Sequence, residues 1–129
     1  MQTRDIEFNS CGDTIRGTLY MPDGVKNPPL VIMAGGWCYV KEIVMPYYAD
    51  DFVEIGCACL IFDYRCFGDS DGLPRQHIDP WGQIEDYRNA VSFAKTLDEI
   101  DADRIGVWGI SYSGGHAICV AALDTRVKF

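Results

Sequence analysis

The most informative segment of the chain reads Arg104-Ile-Gly-Val-Trp-Gly-Ile-Ser-Tyr-Ser-Gly-Gly-His-Ala-Ile-Cys-Val-Ala-Ala-Leu123. An apolar run typical of a buried strand leads directly into Ser111, and a helical pattern follows it. So sharp a reversal strains the backbone at the turn and requires small residues two positions before and after it. Gly109 and Ser113 meet that requirement. The segment therefore predicts a nucleophile elbow, which presents the Ser111 hydroxyl beside the free N–H groups of the next helix.

A second serine fits the bare G-x-S-x-G pattern better. Ser70 lies in Gly68-Asp-Ser-Asp-Gly72, but Pro74 follows closely and no helical pattern starts before Pro80. Because the motif is meaningful only between a strand and a helix, we interpret this segment as a polar turn. Ser111 is therefore the candidate nucleophile, and the alternative is that it merely caps the helix that follows.

Composition and charge narrow the class of protein. The chain has 129 residues, 48% of them hydrophobic, which suffices for one core and not for two. Its net charge of −8 and pI near 4.5 argue against nucleic acid or an anionic membrane as a partner, because either would repel it. No apolar run approaches the roughly 20 residues of a membrane span, and the N-terminus lacks a secretory pattern, so we expect a cytoplasmic protein.

The cysteines and histidines give no sign of a metal or cofactor site. The six cysteines contain no C-x-x-C pair, so we expect free thiols. His77 and His116 are far apart in sequence, so zinc is not expected. Cys38 has no identifiable base beside it and is interpreted as a packing or surface residue.

Short apolar runs alternate with helical patterns along most of the chain, which predicts the α/β class. An antiparallel hairpin comes first, and parallel strands joined by right-handed helical crossovers follow, with helices on both faces of the sheet. The predicted strands are Arg4–Asn9, Thr14–Tyr20, Leu30–Met33, Cys57–Phe62 and Ile105–Ile110, and the predicted helices begin at Pro46, Pro80 and Gly114. Another strand would begin at the final residues, Val127–Phe129.

The second predicted helix also suggests which side chains face water. Its apolar stripe begins at Trp81, and Asp86 belongs to the polar face that should be solvated. Arg65, in the polar connection before this helix, is expected to pair with acidic neighbours such as Asp69 or Asp71 rather than to bind a substrate carboxylate.

With the elbow, the hairpin and the alternating units in place, the chain resembles the α/β-hydrolases, especially dienelactone-hydrolase-like and Xaa-Pro-peptidase-like serine hydrolases. Besides the elbow, the resemblance rests on Val31-Ile-Met-Ala-Gly-Gly-Trp37, Ile61-Phe-Asp-Tyr-Arg-Cys-Phe-Gly-Asp-Ser70 and Gln83-Ile-Glu-Asp-Tyr-Arg88. It covers nearly all of the chain. It implies that residues 1–129 are the N-terminal half of one α/β-hydrolase domain.

The resemblance also implies a mechanism. Ser111 would attack the carbonyl carbon of a small ester, thioester or lactone, and water would hydrolyse the resulting acyl-enzyme. The oxyanion hole would combine the backbone N–H of Tyr112 with that of Trp37 or Gly36. Gly35 and Gly36 suit this loop, because amides approach a substrate only where side chains leave room. Relatives often have His-Gly at these two positions.

The rest of a catalytic triad is not evident. In this fold the acid and the His follow the nucleophile, yet only His116 and Asp124 do so here. His116 falls on the helix that leaves the elbow, Asp124 falls at its end, and His77 precedes Ser111. We therefore expect the acid and the His beyond the last residue, and we expect these 129 residues to be a truncated domain that is inactive alone.

The sequence also leaves other functions open. Acyl transfer and peptide cleavage share the same chemistry and differ in acceptor and pocket. A non-catalytic protein could keep the fold to bind a ligand or partner. Phosphate binding on the helix N-terminus is a weaker option, because Gly109 to Gly114 matches neither G-x-G-x-x-G nor a P-loop.

Overall fold

The computed structural model describes all residues, 1–129. All the predicted strands and helices are present, with their ends shifted by a few residues. The strands are β1 (Gln2–Ser10), β2 (Asp13–Met21), β3 (Leu30–Ala34), β4 (Ala58–Phe62) and β5 (Ile105–Gly109), and the helices are α1 (Met45–Glu54), α2 (Pro80–Ala94) and α3 (Tyr112–Leu123). No helix is both long and apolar enough to cross a membrane.

The five strands form one mixed sheet in the order β1-β2-β4-β3-β5. The hairpin strands β1 and β2 are antiparallel, β2 is antiparallel to β4, and β3 is parallel to both β4 and β5. Every residue of β3 and β4 is buried, because α1 covers one face of the sheet while α2 and α3 cover the other. The predicted α/β architecture is thus confirmed.

Helix starts follow the sequence signals in part. Both α1 and α2 have proline in their first turn, where its missing N–H costs no helical hydrogen bond. Asp79 stands at the N-cap of α2, but its side chain makes no capping hydrogen bond. Helix α3 begins at Tyr112, two residues before the predicted start.

The last residues of the chain run along the outer edge of β5. The N–H of Val107 donates to the carbonyl of Phe129 at 2.9 Å, and the N–H of Lys128 donates to the carbonyl of Ile105 at 2.8 Å. Strand pairing therefore begins here, as the sequence predicted.

The predicted solvation of α2 is wrong at both of the positions named. Asp86 is fully buried, whereas Trp81 is 67% exposed. Burial raises the pKa of Asp86, while hydrogen bonds from Arg65 and Ser10 act in the opposite direction. Helical periodicity classed Asp86 as a surface residue because it cannot reveal a partner that comes from another part of the chain.

That partner is Arg65, which pairs with an acidic residue as predicted, although the residue is Asp86 rather than Asp69 or Asp71. Its guanidinium donates to Asp86 Oδ1 from Nε at 3.0 Å and from Nη2 at 2.7 Å. The Ser10 hydroxyl donates to the same oxygen at 2.6 Å. Asp69 and Asp71 instead pair with Lys41 and Arg16. The Arg65 ion pair thus ties α2 to the hairpin and to the segment after β4.

Candidate active site

Ser111 lies at the turn between β5 and α3, and its side chain is exposed. Its backbone has φ 56° and ψ −120°, a conformation that side-chain-bearing residues rarely adopt. Ser113 holds the turn: its hydroxyl accepts the N–H of Ile110 at 2.9 Å and donates to the Ile110 carbonyl at 3.0 Å. The strand-turn-helix arrangement that the sequence predicted around Ser111 is present.

Close approach of strand and helix explains the small residues of the elbow. A Cβ on Gly109 would lie 2.2 Å from the carbonyl oxygen of Ser113 and 2.7 Å from the nitrogen of Gly114. Ser113 itself is fully buried. The requirement for small residues on both sides of Ser111 is therefore steric.

The loop after β3 reaches the elbow through its two glycines. A Cβ on Gly36 would lie 3.1 Å from the carbonyl oxygen of Ile110 and 3.4 Å from the Cβ of Ser111. A Cβ on Gly35 would lie 2.4 Å from the Cβ of Tyr39. The fold thus brings Gly36 beside Ser111, because the carboxyl ends of the neighbouring parallel strands β3 and β5 lie at the same edge of the sheet.

Three backbone N–H groups at this edge of the sheet are unpaired. The N–H groups of Gly36, Trp37 and Tyr112 donate to no acceptor within the protein. Tyr112 is the first residue of α3, where the helix dipole adds partial positive charge. Free amides of this kind can stabilise an oxyanion that develops beside Ser111.

Aromatic rings form the rim of the site. The rings of Trp37 and Tyr112 meet edge to face with centroids 5.1 Å apart, and Trp37 remains 57% exposed. Trp37 therefore packs on the first residue of α3 and still offers an apolar surface next to the elbow.

A buried carboxylate anchors the far end of the loop that follows β3. Asp63 directly follows β4 and accepts the N–H of Lys41 at 2.7 Å and that of Asp69 at 3.0 Å. The Lys41 ammonium lies 3.3 Å from the same carboxylate. This role of Asp63 was not predicted from the sequence. The signal that could have indicated it is an acidic residue immediately after a fully buried strand.

The two histidines are not at the Ser111 hydroxyl. His116 is buried, with Nε2 2.9 Å from Oε1 of Gln83. Its ring packs against Tyr112, and burial lowers the pKa of the imidazole. His77 is exposed in the loop before α2. Neither imidazole is hydrogen-bonded to the hydroxyl of Ser111.

The other polar candidates have structural roles. Asp124 is buried at the end of α3 and pairs with Arg126 at 2.6 Å, which lowers the pKa of its carboxyl. Ser70 is buried, accepts the N–H of Arg16 at 2.9 Å and donates to the carbonyl of Asp63 at 2.6 Å. The polar turn predicted around Ser70 is therefore confirmed, and Cys38 is an exposed loop residue.

Known proteins are similar to this chain in sequence and in fold. Residues 12–128 match the family described as X-Pro dipeptidyl-peptidase (S15 family). The chain is 46% identical to thiohydrolase aneE of Aspergillus aculeatus, covering 96% of this chain and 39% of that protein. It is 38% identical to acyltransferase drtE of Aspergillus calidoustus, covering 99% of this chain and 41% of that protein.

A solved structure gives the fold directly. The crystal structure of α/β hydrolase GrgF from Penicillium sp. sh18 matches 98% of this chain with a TM-score of 0.93 and 34% identity, and the match covers 44% of that chain. The chain thus spans about 40% of the length of the relatives it matches. It has the α/β-hydrolase fold and belongs to the X-Pro dipeptidyl-peptidase (S15) family.

Proposed function

We propose that this protein hydrolyses an ester, thioester or lactone bond of a small molecule through an acyl-enzyme on Ser111. The observation that carries the proposal is the contact between Ser111 and Gly36. Ser111 is exposed in a strained elbow, and this contact brings it beside the loop after β3. The unpaired N–H groups nearby are that of Tyr112 and those of Gly36 and Trp37. That combination suits a reaction in which a hydroxyl attacks a carbonyl and negative charge develops on the carbonyl oxygen.

In the proposed first step, the Ser111 oxygen bonds to the carbonyl carbon while a general base takes its proton. The oxyanion accepts hydrogen bonds from the N–H of Tyr112 and from that of Gly36 or Trp37. Collapse of the tetrahedral intermediate breaks the bond to the leaving alcohol or thiol, which receives the proton. Water then attacks the acyl-enzyme by the same route and releases the acid.

The general base is proposed to be a histidine outside these residues, together with an acid. His116 is engaged with Gln83, and Asp124 is engaged with Arg126. The chain spans about 40% of the length of its relatives, so the parent protein has room for both groups. Without them Ser111 is a weak nucleophile, and we expect residues 1–129 alone to be inactive.

The names of the relatives support acyl chemistry. They leave open whether water or another molecule accepts the acyl group. One relative is named a thiohydrolase and another an acyltransferase. We favour hydrolysis and keep acyl transfer as the second candidate. The apolar rim formed by Trp37 and Tyr112 suits a substrate whose acyl part is apolar or aromatic.

The test is covalent labelling of the full-length protein with a fluorophosphonate probe, followed by peptide mass spectrometry. We expect one adduct, on Ser111, that Ser111→Ala abolishes. The matched control is Ser70→Ala, which alters the other G-x-S-x-G serine and should leave the adduct in place. A folded full-length protein that takes no label would instead support a non-catalytic binding protein.

Hydrolysis and acyl transfer are then separated by product analysis. An apolar thioester substrate would be incubated with and without an added alcohol or amine acceptor. Release of the free acid at the same rate in both conditions supports hydrolysis. A new ester or amide product that depends on Ser111 supports the transferase candidate.

A further inference from the structure

The hydroxyl of Tyr87 lies between the paired strands β3 and β5, directly beneath the site. In the parallel pairing of β3 with β5, the N–H of Leu30 donates to the carbonyl of Arg104 at 3.0 Å. Parallel ladders repeat this bond at every second residue. Ala34 is in register with Gly109. The last hydrogen-bonding position of this pairing, here called the last rung, therefore sets the N–H of Ala34 opposite the carbonyl of Trp108.

Tyr87 of α2 bridges this last rung. Its hydroxyl accepts the N–H of Ala34 at 2.9 Å and donates to the carbonyl of Trp108, also at 2.9 Å. The side chain is fully buried, and burial raises the pKa of the phenol to about 12. The hydroxyl therefore stays protonated near neutral pH and keeps both bonds.

The bridged groups lie at the bases of the two segments that meet at the site. Ala34 immediately precedes Gly35 and Gly36, and Trp108 lies three residues before Ser111. We propose that Tyr87 is a positioning residue that sets the spacing between the Gly36–Trp37 amides and Ser111. This inference rests on the proposed function, and it adds a residue that touches neither the substrate nor the reacting atoms.

The hydroxyl matters because a phenylalanine ring fills the same space without the bridge. Loss of the hydroxyl would leave the N–H of Ala34 and the carbonyl of Trp108 either unpaired or drawn directly together. Both outcomes would shift the loop after β3 relative to the elbow. A misplacement of about 1 Å between reacting groups can cost on the order of 100-fold in rate.

The experiment compares two buried tyrosines in the full-length protein. Tyr64 packs against Tyr87 with ring centroids 6.1 Å apart, and its buried hydroxyl makes no hydrogen bond to the backbone of either strand. We expect Tyr87→Phe to slow fluorophosphonate labelling of Ser111 at least tenfold. With an apolar thioester as substrate, it should lower kcat at least tenfold and change KM less than threefold. The matched control Tyr64→Phe should keep both rates within twofold of the wild type.

The outcomes separate this inference from the proposed function. A folded Tyr87→Phe variant that labels at the wild-type rate would overturn the role of Tyr87 alone, and so would an equal loss in Tyr64→Phe. A wild-type protein that takes no label would overturn the proposed function and this inference with it.

A second variant covers the case in which Tyr87→Phe does not fold. Replacing Tyr87 with p-aminophenylalanine keeps the ring and a donor to Trp108, but its nitrogen is a poor acceptor for the N–H of Ala34. Labelling should then fall at least threefold. Wild-type labelling in this variant would overturn the proposal.

Discussion

Gly36 lies directly against Ser111, so that a methyl group on Gly36 would lie 3.4 Å from the Cβ of Ser111 and 3.1 Å from the carbonyl oxygen of Ile110. Gly36→Ala should therefore push the loop away from the elbow. Such crowding typically costs about 1–3 kcal/mol of stability, and here we expect a small cost because a loop can move. We expect the fluorophosphonate labelling rate to fall at least tenfold.

The measurement pairs labelling kinetics with urea unfolding of the same Gly36→Ala sample. A loss of labelling that simply follows the unfolded fraction would mean that the substitution damages folding rather than the site. An unchanged rate in a folded variant would contradict the proposed contribution of this loop to the oxyanion hole.

Replacing either of two glycines around the elbow with alanine should change the free energy of unfolding, but in opposite directions. At Gly109 the new Cβ would lie 2.2 Å from the backbone oxygen of Ser113, whereas at Gly115 it would meet nothing within 4 Å. We expect Gly109→Ala to lower the free energy of unfolding by about 3 kcal/mol. Gly115→Ala, within α3, should raise it by about 0.5–1 kcal/mol because alanine favours the helix.

Urea unfolding of both variants at one pH checks this pair. Similar losses at Gly109 and Gly115 would contradict the steric explanation of the elbow and would indicate that any added side chain disturbs α3.

Much of the fold could be predicted because its signals are local. The apolar runs of β3, β4 and β5 are each uninterrupted in the sequence, and the small residues around Ser111 reflect contacts within a few positions. The approach of Gly36 to Ser111 was implied by the resemblance to α/β-hydrolases, and it agrees with the parallel pairing of β3 and β5, whose carboxyl ends lie at the same sheet edge.

The errors and omissions share a different physical cause. Arg65 and Asp86 are 21 residues apart, and Ser10 and Asp86 are 76 apart, so periodicity within α2 could not reveal their bonds. Asp63 and Tyr87 act on backbone groups, which carry no sequence signature of their own. Their roles follow only from the strand register and from how α2 lies on the sheet.

The buried ion pair of Asp86 with Arg65 should dominate the anchoring of α2. Asp86→Ala would leave the Arg65 guanidinium inside the protein without its charged partner, so we expect a loss of about 3–5 kcal/mol in the free energy of unfolding. The matched control is Glu85→Gln, whose pair with Arg88 is partly exposed and should contribute less than about 0.5 kcal/mol. Equal effects in urea unfolding would mean that burial of the Asp86 pair is unimportant.

Stability should also fall as pH drops from about 7.5 to 5.5, because of His116. Burial lowers the pKa of His116 below its usual 6.5, so in this window His116 binds more protons in the unfolded chain than in the folded protein. The resulting slope is at most about 1.4 kcal/mol per pH unit, with the full stability retained above the unfolded pKa. In urea unfolding across this range, His116→Gln should flatten the slope. A slope that persists in His116→Gln would assign the pH dependence to other groups.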